Sequence, residues 1–227
     1  MIFMDAMQSL EDKNTTINEL LRSRLHHVYW IGGGSGAGKS TIARRLANKH
    51  DLVLYSTDEK IRQHGLRTPP EERPFSCAFS EMEMDERWLN RSPEMMLDTF
   101  HFFRGECFDR IVEDLLEFPP GCRVVAEGFR LLPGRVKPLL DLPEQGIWLL
   151  PTPEFRRAAF ESRGTLWTIA GKTSNPERAL QNLLVRDELF TERLREETRT
   201  AGLPAIEVGP TMTEDALAYR VAKQFGL

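Results

Sequence analysis

Residues 33–40 read Gly33-Gly34-Ser35-Gly36-Ala37-Gly38-Lys39-Ser40, and they constrain the fold more than any other stretch of the chain. They fit G-x-x-x-x-G-K-[ST], a phosphate-binding pattern that sits between a strand and a helix. The apolar run Val28-Tyr29-Trp30-Ile31 precedes it, and a helical pattern from Thr41 to Ala47 follows. Glycines let main-chain N–H groups turn inward around phosphate oxygens with no Cβ in the way. In such a loop Lys39 reaches the β- and γ-phosphates and the Ser40 hydroxyl ligates Mg²⁺. The helix that starts here adds the positive end of its dipole. Gly33, Gly34, Ser35, Gly36, Ala37, Gly38, Lys39, Ser40 and Thr41 are therefore the expected nucleotide contacts. A flexible Gly/Ser linker predicts neither flanking element.

At 227 residues the chain is long enough for one α/β domain with a real core. A net charge of −4 and the lack of a long basic run argue against a nucleic-acid or anionic-membrane surface. Cys77, Cys107 and Cys122 are far apart and odd in number, which points to reduced thiols and a cytoplasmic setting. No zinc spacing links them to the five histidines. The opening residues carry no basic segment before an apolar one, so no secretory leader is expected. No apolar run is long enough to span a membrane.

Strand and helix signals alternate along the chain, as a parallel sheet with crossover helices requires. Residues 5–25 read as a polar, weakly amphipathic helix before the first strand. Further strands are expected at 52–56, 123–126, 146–150 and 204–208, with a last helix from about Thr213 to Phe225. Between strands two and three the gap is too long for a simple crossover. It holds the turn-like Pro69-Pro70, then helical patterns at about 80–90 and 93–117.

In open α/β sheets, ligands sit beyond the carboxyl ends of the strands. Asp58 follows the second strand and Glu127 the third, so both carboxylates should project toward the glycine loop. There a carboxylate can support a Mg²⁺ shell or accept a proton from an attacking hydroxyl. Ordinary helix capping is the competing reading, above all for Asp58.

The glycine loop, Ser56-Thr57-Asp58 with Arg62 one turn later, and Glu127-Gly128-Phe129-Arg130 together resemble the small P-loop kinases. That superfamily includes nucleoside monophosphate, shikimate and gluconate kinases and antibiotic phosphotransferases. The Glu-Gly-Phe-Arg run is similar to the Asp-Gly-Phe-Pro-Arg run of adenylate kinases, with Glu for Asp and no proline. The resemblance covers the sheet framework but not residues 66–118.

It implies a three-layer α/β/α P-loop fold over residues 1–227, with a central parallel five-stranded sheet and a helical, acceptor-binding insertion at 66–118. It also implies a mobile lid at about 162–178 whose arginines close over the transferred phosphoryl group. Arg157, Arg163 and Arg186 are the candidates there, and interleaved acidic residues make a salt-bridged surface the plain alternative. Arg62, Arg91, Arg104 and Arg130 are candidates for binding the acceptor. The aromatic residues around Phe100, Phe102 and Phe103 recur at near-helical spacing and read equally well as core.

Other classes leave weaker traces. Asn48-Lys49-His50-Asp51 matches the guanine-specifying N-K-x-D, but it ends the helix after the glycine loop and no D-x-x-G occurs. The expected activity is Mg²⁺/ATP-dependent phosphoryl transfer to a small-molecule acceptor by a monomer or homodimer. In it, Lys39, Asp58, Glu127 and Arg163 do the chemistry, and Ser40 and Glu127 serve the metal. A hydrolytic ATPase and a nucleotide sensor without turnover are the alternatives.

Overall fold

A computed structural model describes residues 15–119, 121–163 and 165–227, without the side chains at 163 and 165–167. Helix α1 covers residues 15–25 of the described chain. Five strands follow: β1 (Val28–Gly33), β2 (Val53–Ser56), β3 (Val124–Glu127), β4 (Gly146–Pro151) and β5 (Ala205–Val208). They form one sheet in the order β2-β3-β1-β4-β5, and every pairing is parallel. Each strand begins and ends within two residues of its expected bounds. The central strands β1, β3 and β4 are buried on both faces and read as near-continuous apolar runs, while the edge strands β2 and β5 keep one partly exposed face.

The alternation of side chains builds a core on each face. On one face Ile31, Val125, Ile147 and Leu149 pack against Ile42, Ala43 and Leu46 of α2 (Lys39–His50) and Leu217 and Val221 of α11 (Glu214–Gln224). On the other, Val28, Trp30, Val124, Ala126 and Trp148 meet Ile111 and Leu115 of α6 (Phe108–Leu116) and Phe190 and Leu194 of α10 (Pro176–Ala201). Burying a large aliphatic or aromatic side chain of this kind contributes about 1.5–3 kcal/mol. After β1 the chain fills one side of the sheet with β2 and β3, and then crosses to the other with β4 and β5. The loop after β1 therefore lies at the switch point, where such sheets leave a crevice.

Between β2 and β3 the chain forms α3 (Ile61–Arg67), α4 (Pro74–Glu81), one π-helical turn (Glu86–Asn90), α5 (Pro93–Thr99) and α6. The expected helix over 93–117 is broken between Thr99 and Phe108. Gly105 and Cys107 take φ of 82° and 61° there, which interrupts the helix. The break sends three phenylalanines in three directions. Phe100 meets Phe79 and Trp88, Phe102 meets Phe129, and Phe103 stacks on Phe190 at 3.6 Å. The helix expected at 80–90 is also two pieces, with Met82 extended after α4.

Trp88, Leu89 and Met96 join Ala170, Ala179 and Leu183 in a third, smaller core away from the sheet. A short α7 (Pro133–Val136) follows β3, and the segment expected as a lid contains α9 (Thr165–Ala170), between α8 (Pro153–Arg163) and α10. Among the described residues no helix is long and apolar enough to cross a membrane.

Candidate functional site

The site begins where β1 runs out of room. Gly33 has φ of 132°, and a Cβ there would lie 2.1 Å from the carbonyl oxygen of Leu149 on β4. Only glycine lets the chain leave the sheet this closely packed and turn toward α2. Lys39, in the first turn of α2, is buried and donates from Nζ to the Gly34 carbonyl at 2.8 Å. Ser40, next along, is exposed. Its hydroxyl donates to Glu127 Oε2 at 3.0 Å.

Glu127 ends β3 in register with Ser56 at the end of β2. Parallel register puts both side chains on the same face, and Ser56 Oγ donates to Glu127 Oε1 at 2.6 Å. Glu127 is only 2 % exposed, so both of its oxygens are fixed by hydroxyls from opposite sides. The local sequence pattern gives Ser56 no role. The strand register alone would have paired it with Glu127.

Asp58 lies two residues beyond Ser56 and remains open to solvent. Crowding by protein on its inner side nevertheless raises its carboxyl above the usual range. Lys39 and Arg130 pull the other way, and Glu127 adds to the rise. Thr57 Oγ1 donates weakly to Asp58 Oδ1 at 3.4 Å. Gly128 makes room for this turn: at φ of 148°, a Cβ on it would lie 1.8 Å from Thr57 Oγ1.

The candidate arginines fall into three groups. Arg62, Arg104 and Arg157 are exposed, and Arg104 stacks over Phe75. Arg91 is tied locally, donating to the Glu86 and Arg87 carbonyls and to Thr99 Oγ1. The Arg163 side chain lies outside the described residues.

Arg130 and Arg186 are buried. Arg186 donates to Asp187 Oδ1 from Nε and Nη2, at 2.9 and 2.6 Å, and lies over Trp88 and Phe100. Arg130 is turned inward. Its guanidinium donates to the Thr57 and Cys107 carbonyls, both at 3.1 Å, and to His64 Nδ1 at 3.0 Å.

Arg156, rather than Arg157, turns toward the glycine loop. It is 2 % exposed, lies beside Gly36 and donates to Thr191 Oγ1. Burial lowers its pKa, against the pull of Asp187, Glu188 and Glu192. Which of two adjacent arginines faces inward depends on the rotation of α8 against the loop, and a local sequence pattern does not contain that angle.

Arg130, Arg156 and Arg186 each keep a buried N–H with no hydrogen-bond partner in the protein: Nε, Nε and Nη1 respectively. Among the described residues, the buried charges are these three cations and Lys39, against the carboxylates of Glu127 and Asp187. Unbalanced buried charge of this kind costs several kcal/mol unless an anion meets it. No group of three His, Cys, Asp or Glu side chains among the described residues could cage a metal. Ser40 Oγ and Glu127 Oε2 offer two adjacent hard oxygen donors, and a cation held there would need further oxygens from a ligand. The arrangement can thus hold an anion and a divalent cation side by side, with the solvent-facing Asp58 carboxylate next to both.

No protein-family model matches the chain, and no curated protein matches it.

Proposed function

We propose that the protein is a Mg²⁺/ATP-dependent phosphotransferase of P-loop type, acting on a small molecule with a free hydroxyl. The observation that carries this reading is the pair of hydroxyls on Glu127. Ser40 and Ser56 converge on one buried carboxylate beside the Lys39 ammonium, at the mouth of a glycine loop. Two buried cations at that loop, Lys39 on the Gly34 carbonyl and Arg156 beside Gly36, support an anionic ligand.

The reading divides the work among this chain's own groups. Main-chain N–H groups of the glycine loop and Lys39 bind the phosphates and fix the γ-phosphoryl group for in-line attack. Ser40 and Glu127 would hold Mg²⁺, directly or through water, and the ion would neutralise phosphate charge. Few protein ligands plus phosphate oxygens is the usual Mg²⁺ environment, and the donor set here fits it. Asp58 orients the acceptor hydroxyl and takes its proton. A carboxyl raised by its surroundings is the stronger base for that step. The segment between β2 and β3, opening at Asp58, is the acceptor-binding insertion of this reading.

Titration calorimetry with MgATP, followed by phosphorus NMR over a panel of sugars, nucleosides and aminoglycosides, tests the reading. The wild type should bind MgATP and form ADP stoichiometrically with a phosphorylated product. Lys39→Ala should keep its circular dichroism and lose transfer by about a thousandfold or more, the loss seen when a preorganised charge is removed from a transition state. A folded Lys39→Ala protein with near-normal turnover would sink the assignment. ADP formation at the same rate with and without every acceptor would make it a hydrolase, and MgATP binding without turnover a sensor.

A further inference from the structure

We propose that Asp114, His64 and Arg130 form a positioning relay that holds the Thr57–Asp58 turn, with His64 working as a neutral imidazole protonated on Nε2. The inference deepens the preceding one and rests on it in one respect: Asp58 is taken as the carboxylate that faces the acceptor.

The chain of contacts runs from α6 to the end of β2. Asp114 Oδ2 lies 2.8 Å from His64 Nε2, and His64 Nδ1 lies 3.0 Å from Arg130 Nη1. The same Arg130 nitrogen lies 3.1 Å from the Thr57 carbonyl, and Nη2 lies 3.1 Å from the Cys107 carbonyl. His64 has no exposed surface, and Arg130 is 2 % exposed.

A guanidinium has donors only, so His64 Nδ1 must be the acceptor of that contact. The imidazole proton is then on Nε2 and is donated to Asp114. Every group facing His64 agrees with this assignment. Tyr55 of β2 lies 3.4 Å from Nε2 and donates its hydroxyl to Asp114 Oδ2 at 2.8 Å. Arg67 of α3 donates to Asp114 Oδ1. Burial, and the Arg130 charge against the pull of Asp114, lower the His64 pKa. Burial alone would raise Asp114, but hydrogen bonds from His64, Arg67 and Tyr55 hold it below the usual carboxylate range.

The relay puts a permanent cation where it acts on Asp58 twice. It fixes the carbonyl of the preceding residue, and its charge favours the ionised carboxylate. A purely structural buried arginine would be expected to take a carboxylate partner. Arg130 instead takes two carbonyls and a neutral imidazole, so its full charge remains available to Asp58. Asp114, His64 and Arg130 are positioning residues; none is proposed to touch the reacting atoms.

Nitrogen-15 NMR of histidine-labelled wild-type protein tests the first half without any substitution. The His64 resonances should show Nε2–H and a bare Nδ1 at neutral pH, and a protonated Nδ1 overturns the relay. The second half is read on carbon-13-labelled aspartate, with Asp58 assigned by the signal lost in Asp58→Asn. In His64→Leu the Asp58 midpoint should rise by at least about half a pH unit as the cation loses its anchor. His64→Asn, which keeps an acceptor near Nδ1, should restore part of the shift. An unchanged Asp58 midpoint in folded His64→Leu refutes the coupling. MgATP affinity should stay within about threefold in both variants, because the relay serves the acceptor side. These NMR readouts need no acceptor, so they stand or fall apart from the phosphotransferase reading.

Discussion

Around Gly33 and Ser40 the chain makes its site from main chain, one lysine and two hydroxyls on a carboxylate, all presented directly by the ends of β1, β2, β3 and α2. Around Asp58 it uses a line of buried side chains drawn from β2, α3, α6 and the turn after β3. The first region is specified by a short sequence pattern, because a backbone cradle depends only on local dihedrals and strand register. The second is specified by partners far apart in sequence, such as Asp114 and His64, whose meeting depends on the whole fold. A carboxylate that binds or accepts a proton can therefore sit at a predictable strand end, while the groups that aim it come from anywhere.

Gly128 stands where the two regions touch, so substitution there gives the largest expected effect. Its residue neighbour Glu127 belongs to the glycine-loop side and Thr57 to the other. Gly128→Ala forces a methyl group to within 1.8 Å of Thr57 Oγ1 at a φ of 148° that alanine resists. The expected loss of stability is about 3 kcal/mol or more by urea unfolding. A loss below about 1 kcal/mol would mean that the Thr57 turn moves freely, and the two regions would then be less tightly joined than their contacts indicate.

His101 offers a smaller test beside the second region. It is 7 % exposed among Phe79, Phe100 and Phe102, and its Nδ1 has no hydrogen-bond partner. Burial, with the nearby Arg130 charge, pushes its pKa down from 6.5 to about 4. The unfolded chain therefore takes up a proton near pH 6.5 that the folded protein refuses until about pH 4. Stability contributed by this site is present above pH 6.5 and is lost as pH falls toward 4. Between pH 7 and 4.5 the wild type should lose about 2 kcal/mol more than His101→Phe, measured by urea unfolding of both. At pH 7 the phenylalanine should be neutral or stabilising, since it removes an unpartnered buried nitrogen. Equal pH dependence in the two proteins would show that His101 is already solvated.

The legible part of the molecule follows the same division. Val28-Tyr29-Trp30-Ile31 and Gly146-Ile147-Trp148-Leu149-Leu150 announce buried strands, and topology then places Asp58 and Glu127 at their carboxyl ends. Asp114 left no such trace: within Glu113-Asp114 and near Glu117 it reads as one more charge on a solvated helix face. Arg130, an expected acceptor contact, lies inward on the Thr57 and Cys107 carbonyls. The break after Thr99 was hidden because Phe100, Phe103 and Phe108 keep near-helical spacing while Gly105 and Cys107 turn the chain. Helix phase and buried pairing are decided by contacts across the fold, and a window of sequence does not contain them.

The smallest expected effects separate two arginines that the sequence treats alike. Arg104 is exposed and rests over Phe75 at 4.9 Å, so Arg104→Ala should cost no more than about 0.5–1 kcal/mol. Arg91 is half-buried and holds the π-helical turn through the Glu86 and Arg87 carbonyls and Thr99. That turn carries Trp88 and Leu89 into the third core, so the lost bonds alone should cost about 1–2 kcal/mol. Burial of the charge works against this: it lowers the Arg91 pKa, as the Arg186 charge does more weakly, while the Glu86 carboxylate pulls the other way. Removing that buried charge offsets part of the loss, and a net drop of about 1 kcal/mol in thermal or urea unfolding is expected for Arg91→Ala. A rise in stability would reverse the balance. Arg91 and Arg186 would then be like charges held together at a cost, and the pair would be a place where an anion binds. Adding inorganic phosphate or ATP should in that case stabilise the wild type more than Arg91→Ala.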